Sequence, residues 1–187
     1  MCLYVTATLP YNVKVESVAS VFESHRLGFQ LISNPQVSAQ LEPGDLYVLT
    51  TRGYCDCDTA LGSLNPRDIY EGVSYERELK KFRKQGWSEA KIQRWLEQKE
   101  QAKERYMREA RHRAEASATD AGSWVDFIVS LLGSGYTPRL GLLLHMYGGS
   151  FSVERVNILG REKVRVEDLN SERLMRMRED VLYEFVN

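Results

Sequence analysis

Apolar residues alternate with polar ones in parts of this chain and recur every three or four positions in others, and the two periods predict its elements. Residues 3–9 are rich in β-branched and aromatic side chains and stop at Pro10, which predicts a strand. Asn12 then stands where it can cap a helix whose apolar stripe is Val15, Val18, Val21, Phe22 and His25. Residues 29–33 predict a second short strand, ended by Asn34-Pro35, and residues 46–51 a third after the Pro43-Gly44 turn. Ser74 starts a helix to about Gln85, with Tyr75, Leu79 and Phe82 on one face. Gly86 closes it, and Ser88 caps a longer helix to about Ala116 along Ile92, Trp95, Leu96, Ala102, Tyr106 and Ala110. The small residues 117–122 predict an exposed tether before an apolar helix over 124–132. Residues 140–147 are continuously apolar, as a central strand requires. A hairpin over 151–158 and 162–166 is expected next, then a last helix from Ser171 carrying Leu174, Met177, Val181, Leu182 and Phe185.

This order of elements resembles the ferredoxin-like βαββαβ arrangement with an expanded helical region. The expectation is one α+β domain over residues 1–187, with a helical excursion at about 74–133 and a C-terminal hairpin and helix.

Charge sharpens the picture of that excursion. The whole chain carries a net −1, but residues 76–115 hold 13 Lys or Arg against 8 Asp or Glu, and the remainder holds 12 against 18. A basic arm is therefore set in an otherwise acidic chain. Its basic residues alternate with Glu89, Glu97, Glu100, Glu104, Glu109 and Glu115, which would repel a phosphate backbone, so nucleic acid is not the expected partner. Trp87, Trp95 and Tyr106 offer large amphipathic surfaces of the kind that anchor protein interfaces, with Arg94 and Arg105 beside them.

Composition is ordinary for a globular chain, with 43% hydrophobic residues. The longest apolar runs fall well short of the roughly 20 residues that span a bilayer, and no secretory leader pattern opens the chain. Three cysteines, an odd number, suit reduced thiols in the cytoplasm.

The least ordinary local feature is Cys55-Asp56-Cys57, with Cys2 far off in sequence. Thiolates bind metals or act as nucleophiles, but a one-residue gap closes poorly around four-coordinate zinc. Taken as parallel neighbours, the first and third strands would leave Cys2 and the Cys55–Cys57 pair at opposite edges of the sheet. Paired antiparallel, they would bring the thiols together. The favoured reading is a tight hairpin whose small thiols tuck under the sheet, and the count and spacing of the cysteines, poor for structural zinc, predict no metal and no cofactor. An N-terminal nucleophile at Cys2 would need a four-layer sandwich, which so helical a chain does not offer. The three histidines are scattered, with His25 and His145 on apolar segments and His112 among arginines. No phosphate loop, H-E-x-x-H or Ser-His-Asp pattern is present.

The opening Met1-Cys2-x-Tyr4 and the run Thr51-Arg52-Gly53-Tyr54-Cys55-Asp56-Cys57 are similar to a group of small uncharacterised bacterial proteins. The resemblance covers about the first 60 residues and implies no activity. The expected function is a non-enzymatic protein-interaction role, of which an immunity- or antitoxin-type inhibitor is one instance, through a protein partner or self-association of the arm. A thiol- or metal-dependent enzyme using Cys2, Cys55 and Cys57 is the alternative, and a nucleic-acid binder using the arm is the third reading.

Overall fold

In the computed structural model the described residues are 2–57, 59–62 and 75–187, and of residues 106, 107 and 109–119 the backbone alone is described. The strands are β1 (Cys2–Leu9), β2 (Gln30–Leu31), β3 (Leu46–Leu49), β4 (Arg139–Tyr147), β5 (Gly160–Arg165) and β6 (Val181–Val186). The helices are α1 (Val15–Ser24), α2 (Pro35–Ser38), α3 (Glu76–Lys84), α4 (Glu89–Gly133) and α5 (Ser171–Met175), with one 3-10 turn at Val166–Asp168. The class is mixed α+β, around a six-stranded mixed sheet ordered β2-β3-β1-β4-β6-β5.

Alternation along β1 builds both faces of the sheet. Leu3, Val5, Ala7 and Leu9 point to one side, where Phe22 of α1 and Trp124, Phe127, Ile128 and Leu131 of α4 cover them. Tyr4 points to the other, where Tyr47, Leu143, Tyr147 and Leu182 pack with Val37 and Val156. At the centre, Gly141 lies opposite Thr8, and a Cβ there would stand 2.1 Å from the Thr8 hydroxyl oxygen. Only glycine lets these two strands approach.

The chain divides into two compact units, residues 1–64 with 116–187 and residues 65–115, and the division falls within α4. In the second unit Gly86 takes a positive φ of 75° and ends α3, as its sequence position implies. Ser88 accepts from Ile92 N at 3.0 Å through its carbonyl and opens α4.

Three expectations are corrected. The first and third strands are antiparallel, with Thr6 opposite Leu49 and Leu9 opposite Leu46. The crossover through α1 makes β1 parallel to β2, and β3 pairs antiparallel with both. Second, α4 runs unbroken through residues 117–122. Ala121 there is fully buried, and Asp120 accepts Ala60 N at 2.6 Å, so tertiary contacts hold a stretch of weak helix formers in the helix. Third, no hairpin or long helix ends the chain. The helix from Ser171 stops at Met175, capped by Asn170, whose carboxamide oxygen accepts Arg173 N at 2.9 Å. Residues 181–186 form β6 instead, parallel to β5. Val181, Tyr183 and Phe185 face one core and Leu182 the other, so a strand buries both sets where a helix would bury one.

Candidate metal centre

The N-terminal half of β1 has lost β3 as its neighbour, because β3 ends at Leu49. Residues 50–57 take its place. Thr50 N donates to Val5 O at 3.4 Å and its hydroxyl to the same oxygen at 2.7 Å. Further along, Asp56 N donates to Leu3 O at 2.9 Å, and Leu3 N donates to Cys57 Sγ at 3.3 Å. An irregular segment thus continues the ladder, satisfying backbone groups that an exposed edge would leave open.

Asp56 fixes this segment. Its carboxylate accepts Val5 N at 2.7 Å and the Thr51 hydroxyl, and the residue is 5% exposed. Burial pushes its carboxyl above the ordinary carboxylate range, with the nearby Asp120 adding to the rise, while the Thr51 and Val5 hydrogen bonds pull it back. Asp56 is buried while the flanking Cys55 and Cys57 are half-buried, Cys57 packing in part against the core. A turn closes the loop: Thr59 N and the Thr59 hydroxyl donate to Asp56 O at 2.9 and 2.8 Å, and Gly62 N donates to Thr59 O at 3.1 Å.

The result is a cluster of three thiols. The sulfurs of Cys2, Cys55 and Cys57 all lie within 4.8 Å of one another, and each residue is half-buried. Zinc–sulfur bonds of about 2.3 Å put two ligand sulfurs about 4 Å apart, so small side-chain rotations would let the trio close on a single ion. The Leu3 N–H pulls the Cys57 thiol down, but burial and the neighbouring Cys55 and Cys2 outweigh it, so this thiol stands above its ordinary value. The same cluster surrounds Tyr4: burial first, then Cys2, Cys55, Asp56 and Cys57, push its phenol up, and its hydroxyl donates to Tyr54 O.

Three thiols held at this spacing can chelate a soft cation or form a disulfide, and the half-burial leaves one side open for exchange. The expectation that they lie apart is removed by the antiparallel pairing of β1 and β3. Sequence reasoning missed Asp56, Thr51 and Gly62 as the parts that aim the cysteines. The one signal available was an acidic residue flanked by cysteines, which is too short a pattern to fix a conformation.

The residues expected to bind a partner lie in the second unit. Trp87 stacks on Phe82 with centroids 4.3 Å apart, and Lys91 Nζ lies 3.9 Å from its ring centre. Trp95 meets Phe82 at 4.9 Å and Tyr75 at 5.4 Å, both edge-on. Both tryptophans are half-buried within the second unit, while Arg94 and Arg105 are exposed. The side chain of Tyr106 is outside the described part. Among the histidines, His145 shares a hydrogen bond of 2.6 Å between Nδ1 and Asp180 Oδ1, and His25 lies edge-on to Phe127. Neither joins the thiol cluster. No described helix is long and apolar enough to cross a membrane.

Compared with models of known protein families, with curated proteins and with solved structures, the chain matches none.

Proposed function

We propose that this protein binds a soft metal ion through the thiolates of Cys2, Cys55 and Cys57. The observation that carries the reading is the mutual approach of three sulfurs, within 4.8 Å, from a strand and a loop separated by some fifty residues of chain. The thiol- or metal-dependent alternative thus moves ahead of the interaction reading.

The test is a competition titration of the reduced protein against a chromophoric chelator, with each cysteine replaced by serine in turn. The wild type should take up one ion per chain, and each single variant should lose on the order of tenfold or more in affinity. Equal affinity in wild type and all three variants would remove the site.

The interaction reading, an immunity- or antitoxin-type inhibitor among its instances, has the exposed Arg94 and Arg105 in its favour. It no longer has free tryptophans, since Trp87 and Trp95 pack on Phe82. For the fold, the ferredoxin-like reading is supported by the order β2-β3-β1-β4 with antiparallel neighbours throughout, β6 and β5 extending that sheet beyond β4.

A further inference from the structure

We propose that the site takes an ion satisfied by three sulfur ligands, copper(I), in preference to four-coordinate zinc; this rests on the reading of the thiol trio as a metal site.

Spacing does not separate the two ions. With bonds of about 2.3 Å, three sulfurs lie about 4.0 Å apart around a trigonal ion and about 3.8 Å apart around a tetrahedral one. The count of donors does separate them. Structural zinc is closed by four protein ligands, in sets such as four cysteines or three cysteines and a histidine. Among the described residues the cluster contains three thiols and no histidine or carboxylate.

Among the described residues, the carboxylate and the phenol beside the thiols are already committed. The Asp56 carboxylate faces inward onto Val5 N and the Thr51 hydroxyl. The Tyr4 hydroxyl is held by Tyr54 O. His145, opposite Tyr4 in the ladder, uses its Nδ1 on Asp180; its buried Nε2 has no hydrogen-bond partner among the described residues, but the histidine does not join the group of three sulfurs. Among the described residues no fourth ligand, which a tetrahedral ion would need, joins the three sulfurs.

Chemistry points the same way. An all-thiolate set without nitrogen or oxygen selects soft ions, copper(I) among them, and three-coordination is a stable end state for copper(I). The Leu3 N–H donated to Cys57 Sγ at 3.3 Å draws charge from one ligand and holds its direction. Cys55 and Cys57 supply two corners of the triangle and Cys2, on the neighbouring strand, the third.

X-ray absorption at the copper edge, on full-length protein loaded anaerobically with one equivalent of copper(I), tests this. The expected result is three sulfur neighbours and no nitrogen or oxygen, unchanged in Asp58→Ala (a position outside the described residues) and in His145→Ala. A fourth nitrogen or oxygen ligand, a change of coordination in either variant, or more than one copper per chain would overturn the three-coordinate assignment. Zinc that copper(I) fails to displace would overturn the preference while leaving the metal site standing. Failure of the wild type to hold either ion would instead remove the metal reading itself, and wild-type affinity retained in Cys57→Ser would do the same.

Discussion

Replacing Gly62 with alanine should dismantle the thiol cluster from outside it. A Cβ at this position would stand 1.5 Å from Asp56 O, 2.3 Å from the Asp56 carbonyl carbon and 3.0 Å from Cys57 Cα. Those are backbone atoms, so no side-chain rotation relieves the clash. Residues 56–57 and 62 must separate by about 1.5 Å to reach even the shortest contacts that real Cβ atoms show. That movement breaks the two bonds from Thr59 to Asp56 O and strains the bond from Asp56 N to Leu3 O. Net values of about 0.5–1.5 kcal/mol for each of the two broken hydrogen bonds, with an overpacking cost of about 1–3 kcal/mol, place the loss at roughly 2–6 kcal/mol. Gly53→Ala is the control on the same loop, because nothing lies within 4 Å of its added Cβ. It should change stability by less than about 0.5 kcal/mol. The assay is the urea midpoint of both variants, together with their affinity for copper(I). Gly62→Ala should fall in both while Gly53→Ala keeps both. A Gly62→Ala protein that unfolds at the wild-type midpoint and binds as tightly would refute the packing of this loop, and with it the placing of Cys57 beside Cys2.

Asn34 is fully buried and works at both ends of its carboxamide, accepting Gln36 N and Val37 N at 3.0 and 3.2 Å and donating to Phe151 O and Glu154 O at 2.8 and 3.0 Å. Asn34→Ala removes a helix cap and strands buried partners, so chemical denaturation should show a loss of about 2–4 kcal/mol; a loss under about 0.5 kcal/mol would contradict this network. Burial raises the phenols of Tyr47 and Tyr147, whose hydroxyls share a hydrogen bond of 2.6 Å, above the ordinary value of 10.0. The folded state holds these protons more tightly than the unfolded chain, so this contribution is complete below about pH 10 and is lost as pH rises beyond it. The urea midpoint should therefore fall above pH 10, and less steeply when both tyrosines are phenylalanine; equal slopes would refute it. Trp95→Ala removes two edge-on aromatic contacts worth about 0.5–1.5 kcal/mol each. Circular-dichroism melts should show the loss, whereas an unchanged melt would return Trp95 to the role of a partner anchor.

Sequence periodicity made β1, β4 and α1 legible because each carries its own burial pattern. Leu3, Val5, Ala7 and Leu9 alternate, residues 140–144 are all buried, and Val18 and Phe22 lie one helical turn apart. Gly86 and Ser88 punctuate the second unit locally, and local signals sufficed there. Where tertiary contacts decide, the pattern misled. Leu174, Met177, Val181 and Phe185 fit a helical stripe, yet Asp180 adopts a φ of 60° and turns the chain into β6 before the stripe is complete. Residues 117–122 look like a tether until Ala121 is seen buried. The thiol site depended on the relative direction of β1 and β3, which no local pattern states. Once those strands run antiparallel, residues 50–57 follow β1 towards Cys2, and the buried Asp56 and the turn at Thr59 to Gly62 set where Cys55 and Cys57 lie.

Intact-mass analysis of the reduced protein, loaded with one equivalent of copper(I) and then exposed to iodoacetamide, tests the central claim most directly. If one ion is shared by all three thiols, the native protein carries one copper and no alkyl group, and removal of the ion by a strong chelator yields three alkyl groups, one for each cysteine in the chain. A loaded protein that keeps its copper while Cys2, Cys55 or Cys57 is alkylated would contradict the account.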